Sequence, residues 1–171
     1  PLAPAEGLAA HDPLSKVPAL MRDGAATMYD SRVICQYLDD RARAGSSDVG
    51  LYGTGDARWD ILVVEAACDG ILDAALLMVY EHRLRPVDKQ FDEFRAAQGQ
   101  KIDQALDALA TQWMHVLAGP LTMAHIATGA ALGYLDLRHG DRNWRQGRDG
   151  LAAWFAEFAQ RPSMTKTAPP V

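Results

Sequence analysis

The sequence predicts an α+β chain that is mostly α: a short β-hairpin and one helix, followed by an all-α helical bundle. Three observations predict it. Two short, partly apolar runs, residues 19–22 and 26–29, flank Asp23-Gly24-Ala25, and an Asp-Gly pair supplies the positive φ angles a hairpin turn needs. From Asp56 onward, apolar residues recur at the i, i+3, i+4, i+7 spacing of a buried helix face. Pro86 and Gly119-Pro120 then cut that helical text into separate segments.

Taken in order, residues 1–15 are Pro-, Ala- and Gly-rich loop text with room for one short turn and no strand-helix-strand pattern. After the hairpin, Asp30 or Ser31 caps a helix, because either side-chain oxygen can accept from the free N–H groups of the first turn ahead of Val33, Ile34, Tyr37 and Leu38. The same helix start offers an anion site. A loop at 44–50 and a turn at 53–55 lead to a long helix from Asp56 to about Arg85, whose buried face is Val64, Cys68, Ile71, Leu72, Ala75, Leu76 and Val79. Glu65, Asp69 and Asp73 interrupt the apolar stretch 61–80, so it does not read as a membrane span. Spaced by four, these acids form one stripe, with Glu65 and Asp73 expected on a solvated face. A second helix is expected from Pro86-Val87-Asp88, with Phe91, Phe94, Ile102, Ala105, Leu106, Leu109, Trp113 and Leu117 inward, ending at Gly119. Thr122 is placed to cap the next helix, Leu121 and Ile126 form a hydrophobic staple, and that helix runs to about Arg138. A last one, from about Gly147 to Ala159, carries Leu151, Trp154, Phe155 and Phe158. The expected domains are therefore 1–43, a linker at 44–55, and 56–171.

Composition excludes several function classes. The 171 residues are 49% hydrophobic and 23% charged, which fits a soluble globular chain able to bury roughly 70% of its unfolded surface. Seventeen basic against twenty-two acidic residues give a net charge of −5 with no basic run, which argues against nucleic-acid and membrane-surface partners. Cys35 and Cys68 form no C-x-x-C, and with the scattered His11, His82, His115, His125 and His139 they give no metal-ligand spacing, so no metal is expected and a reducing compartment is. Cys35 reads as a half-buried helix residue rather than a nucleophile.

Lys16-Val17-Pro18-Ala19-Leu20, then a hairpin, then Asp30-Ser31 opening the helix, resembles the second half of the glutathione-binding domain of a glutathione S-transferase. Gly119-Pro120-Leu121-Thr122-Met123-Ala124-His125-Ile126-Ala127 resembles the capping motif of that family's helical domain, which normally has an aspartate where this chain has His125. The departure concerns stability: an imidazolium in the first turn of a helix loses what a carboxylate gains, roughly 0.3 to 1 kcal/mol each, so His125→Asp is expected to raise the melting temperature. The resemblance spans about residues 12–167. It implies a C-terminal part of a thioredoxin-like domain followed by an all-α domain, in a cytoplasmic homodimer with no permanently bound cofactor and glutathione as co-substrate.

The resemblance further implies a cis peptide before Pro18, with the Val17 backbone pairing with the cysteinyl part of glutathione. Lys16 would sit near the glycyl carboxylate, and Asp30 and Ser31 would hold the γ-glutamyl end. Asp69, in Cys68-Asp69-Gly70, resembles the aspartate that reaches the glutamyl amino group of glutathione in the other subunit. The implied activity is attack of glutathione thiolate on electrophilic small molecules. In the family a strand, a helix and a second strand precede Lys-Val-Pro, and the catalytic residue lies in that segment. The chain therefore reads as starting after its catalytic residue, with none expected within it. The alternatives are a non-catalytic glutathione transferase-like binding or scaffold module, and a helical bundle whose similarity is architectural only.

Overall fold

The hairpin turn forms with Gly24 at φ +67° in the computed structural model of the chain, which describes residues 6–46 and 48–169. Asp23 keeps a negative φ, so only one of the two expected positive angles is used. Strand β1 (Ala19–Arg22) pairs antiparallel with β2 (Ala25–Tyr29) in a two-stranded sheet, with Ala19 opposite Tyr29 and Arg22 opposite Ala25. An irregularity between Leu20 and Arg22 breaks the ladder. Arg22 spans it, donating to the Ala26 carbonyl at 3.1 and 2.7 Å while its guanidinium lies 5.3 Å from the Tyr37 ring centre. That cation–π contact ties the hairpin to helix α1 (Ser31–Ala42), whose Ile34 is buried. Before the hairpin the described residues form one 3-10 turn, Leu8–Ala10.

The chain divides into a first unit ending at Tyr52 and a second beginning at Gly53. In the first, buried Asp39 on α1 accepts from Leu51 N–H at 2.8 Å and faces Arg43 at 3.5 Å, which fastens the loop after α1 back onto that helix. Gly50 allows this closeness, since a Cβ there would stand 2.3 Å from Arg43 Cδ.

The second unit is helical: α2 (Asp56–Leu84), α3 (Asp92–Thr111), α4 (Met114–Leu117), α5 (Met123–Arg138), α6 (Asp149–Phe158) and α7 (Pro162–Thr165). Val64, Cys68, Ile71 and Ala75 of α2, Ile102, Leu106 and Leu109 of α3, Ala131, Leu132 and Leu135 of α5, and Leu151 of α6 make its core. The expected α2 and α5 match to within a residue. Three expectations are corrected. The helix after Pro86 begins only at Asp92, because Glu81 captures the Phe91 N–H at 2.9 Å and Gln90 Nε2 donates to the carbonyls of His82 and Arg85, leaving Phe91 extended and 56% exposed. That helix also breaks after Thr111, where Thr111 Oγ1 takes the Asp107 carbonyl at 2.7 Å and the His115 ring meets the Gln112 carbonyl at 2.9 Å. Glu65 is buried rather than solvated. Among the described residues no helix is long and apolar enough to cross a membrane.

Candidate functional site

The start of α1 is built by Asp30. Its backbone adopts φ 68° and ψ 126°, a conformation glycine favours and an L side chain holds only when its surroundings over-determine it. Here three contacts do so: Asp30 Oδ1 accepts from the Arg32 N–H at 3.0 Å and from Arg32 Nε at 3.1 Å, and Oδ2 accepts from Arg32 Nη2 at 3.1 Å. Asp30, and not Ser31, is thus the cap. The Arg32 guanidinium holds the Asp30 carboxyl below the usual carboxylate range; partial burial opposes this, and the charge of Lys16 adds to it. Ser31 follows as the exposed first residue of the helix, with its hydroxyl at the positive end of the helix dipole.

Lys16, Val17 and Pro18 form the exposed loop just before β1. The Val17–Pro18 peptide bond is cis. Val17 is 80% exposed and precedes the first ladder pair, Ala19 with Tyr29. The first unit therefore presents together a lysine whose charge reaches Asp30, the Val17 backbone, and a capped helix start. Such an arrangement can take an extended ligand with a carboxylate for the helix start and peptide groups for the loop. Asp69 is in the second unit, part-buried in the middle of α2.

One residue of this region is absent from the expected set. Asp12 is 2% exposed; its Oδ1 accepts from the Leu14 N–H at 2.8 Å, its Oδ2 from the Lys16 N–H at 3.0 Å, and its carbonyl from the Ser15 N–H at 2.8 Å. An Asp-Pro pair is an Asx-turn signal, and that signal stands in the sequence at 12–13.

The capping segment of α5 is also laid out differently from its sequence reading. His125 is buried, and its Nδ1 accepts from the Thr122 N–H at 3.1 Å in the reciprocal pairing of a capping box. Burial lowers its pKa. The carbonyls of Leu117 and Gly119 lean the other way without an Nε2 hydrogen bond of proper geometry. The neutral imidazole thus does the work of the acidic residue, and the imidazolium penalty expected from the sequence does not apply at neutral pH. A surface hollow of about 390 Å³ beside it, lined among others by Leu121, Trp154 and Arg161, contains none of the expected site residues. Burial pushes the Cys68 thiol up to about 12, which removes it as a nucleophile.

A strand hairpin and a capped helix start, followed by an all-α unit, have the architecture of a thioredoxin-like unit followed by a helical domain. Residues 3–46 match the family model described as glutathione S-transferase, N-terminal domain, and residues 92–157 match glutathione S-transferase, C-terminal domain. The chain is 30% identical to the uncharacterized GST-like protein YibF of Escherichia coli (strain K12), over 96% of this chain and 80% of that one. Among solved structures, it is similar to a glutathione transferase family member from Pseudomonas fluorescens Pf-5 with bound glutathione: 43% identity, TM-score 0.94, covering 100% of this chain and 82% of that one. A glutathione S-transferase from Methylobacillus flagellatus KT with glutathione bound is similar at 33% identity and TM-score 0.83, covering 95% and 80%. The chain belongs to the glutathione S-transferase family.

Proposed function

We propose that this chain binds glutathione and is part of a cytoplasmic, homodimeric glutathione transferase acting on electrophilic small molecules. The observation that carries the reading is the first unit's grouping of Lys16, the exposed Val17 backbone and the Asp30–Ser31 helix start. In this reading Ser31 and the N–H groups of α1 receive the γ-glutamyl carboxylate, the Val17 backbone pairs with the cysteinyl amide, and Lys16 neutralises the glycyl carboxylate. Asp69 serves the γ-glutamyl ammonium of the ligand bound to a second copy. Similarity to family members solved with glutathione supports the ligand.

These are positioning roles. The bound thiolate forms a carbon–sulfur bond to the electrophile, whose leaving group departs with the bonding electron pair. Ser31→Ala removes a hydrogen bond to a carboxylate, so the glutathione dissociation constant should rise roughly tenfold by calorimetric titration. An unchanged constant would remove Ser31 from the site. Glutathione binding without turnover of an aryl chloride would instead establish the non-catalytic binding module.

A homodimer is supported by the exposed side chains along α2, where Trp59 is 64%, Val63 49% and Leu77 43% exposed. Their spacing keeps them on one face of the helix.

A further inference from the structure

Two features of the loop before the hairpin are left without a role by this reading. One is a carboxylate buried in the first unit, Asp12, with no cation among the described residues bonded to it; its acceptors are spent on backbone amides two and four residues ahead. The other is Ser15, a non-glycine residue at φ 53°. They explain each other. A serine in the left-handed region is strained and persists only where neighbouring bonds hold it. Here the flanking amides of Leu14 and Lys16 are both held by one carboxylate, and Ser15's own N–H by the Asp12 carbonyl at 2.8 Å. Asp12 is itself anchored, its N–H donating to the Leu8 carbonyl at 2.9 Å. The backbone of Lys16 therefore leaves a fixed point, although its side chain is exposed.

We infer that Asp12 is a positioning residue for the glycyl end of glutathione, acting through Lys16: its buried carboxylate sets the Lys16 amide and so aims the ammonium at the ligand's terminal carboxylate. The inference rests on the glutathione reading and adds to it the residue that determines how strongly the third amino acid of the tripeptide counts. An exposed lysine on a mobile loop spends ordering entropy when it meets an anion, and a loop held in advance spends less. Asparagine at position 12 keeps the shape but places an NH₂ group against one of the two amide donors, so one of the two bonds is lost.

The experiment measures dissociation constants for glutathione and for γ-glutamylcysteine, which lacks the glycine. The proteins are the unmodified chain, Asp12→Asn and Lys16→Met, each checked for an unchanged far-UV circular dichroism spectrum. The unmodified chain should prefer glutathione. Lys16→Met should lose roughly five- to tenfold for glutathione and little for γ-glutamylcysteine. Asp12→Asn should show the same selective loss, a pattern general loosening of the fold would not produce. Equal losses for both ligands in Asp12→Asn, or none with the fold intact, overturn the inference while leaving the glutathione reading standing. Lys16→Met retaining the full preference for glutathione overturns it even where Asp12→Asn fails to fold. An unmodified chain that binds neither ligand overturns the glutathione reading itself.

Discussion

His125 illustrates how one side chain can meet a requirement by a different protonation state from the one its sequence position suggests. At N3 of α5 it accepts from Thr122 with Nδ1, which only the neutral ring can do, and burial keeps it neutral. An imidazole in the unfolded chain titrates near 6.5, and the folded value is lower. Below about pH 6.5 the unfolded chain therefore binds a proton that the folded chain does not, and stability falls with pH until the folded value has been passed. His125→Asp carries an acceptor that remains ionised through this range. The melting temperature of the variant relative to the unmodified chain should therefore increase between pH 8 and pH 5.5 by roughly 2–4 °C, followed by differential scanning calorimetry. A difference independent of pH would mean that His125 does not titrate through the cap. The sequence identified the cap, since Thr122 and the run after it carry that signal. It could not reveal the charge, because Trp154 and Phe158, whose rings stand 6.0 and 6.2 Å from His125, come from a helix thirty residues away.

At the scale of elements, the packing of α5 on α6 rests on a small residue. Gly129 is buried in α5, and a Cβ there would lie 2.6 Å from Phe158 Cε1 and 3.3 Å from Met164 Cε. The ring has little freedom to yield, being buried and stacked on Trp154 at 4.8 Å, and Trp154 donates to the Leu117 carbonyl at 2.9 Å. Helix propensity alone would favour alanine over glycine by about 1 kcal/mol. Overpacking of a filled core typically costs 1–3 kcal/mol, and here it acts on a stacked pair. Gly129→Ala should therefore destabilise by about 1–2 kcal/mol in urea denaturation, with an unchanged m-value; a stabilised variant would mean that the rings shift freely. Elements whose limits are written in local residues were legible: β1 and β2 around Gly24, α2 up to Pro86, α5 from Thr122 to Arg138. The break after Thr111 was not, since no proline or glycine marks it and it arises from side chains taking backbone carbonyls. The burial of Glu65 was hidden because three acids four residues apart give the same stripe whichever of them faces inward.

For the whole molecule, the exposed apolar side chains of α2 bear on the proposed homodimer. A solvated Trp59 at 64% exposure gains most from association with a second copy, and aromatic anchors carry a large share of such interfaces. Sedimentation velocity should find a dimer of the unmodified chain, and Trp59→Glu should raise its dissociation constant at least roughly tenfold. A monomer at all concentrations, or a dimer indifferent to the substitution, would remove this face from consideration. The proposed binding residues stand in the sequence as an ordered set, Lys16, Val17, Pro18, Asp30 and Ser31, and the proposal draws on resemblance rather than chemistry. No principle of local structure assigns a tripeptide to an Asp-Ser pair that also serves as an ordinary cap. Asp12 escaped because its signal is that of any turn, and its burial becomes visible only once the loop has closed around it.

The conformation of Asp30 sets two kinds of selection against each other. At φ 68° and ψ 126° glycine carries little strain, and glycine is almost as good a helix cap as aspartate, a few tenths of a kcal/mol worse, against roughly 1–3 kcal/mol of backbone strain relieved. A library of variants sorted by survival after heating would drift toward glycine at position 30. On the proposal that Asp30 and Ser31 together hold the γ-glutamyl end of glutathione, the same library sorted by retention on immobilised glutathione would keep the carboxylate. On that proposal, the residue at 30 records which of the two pressures a population has experienced.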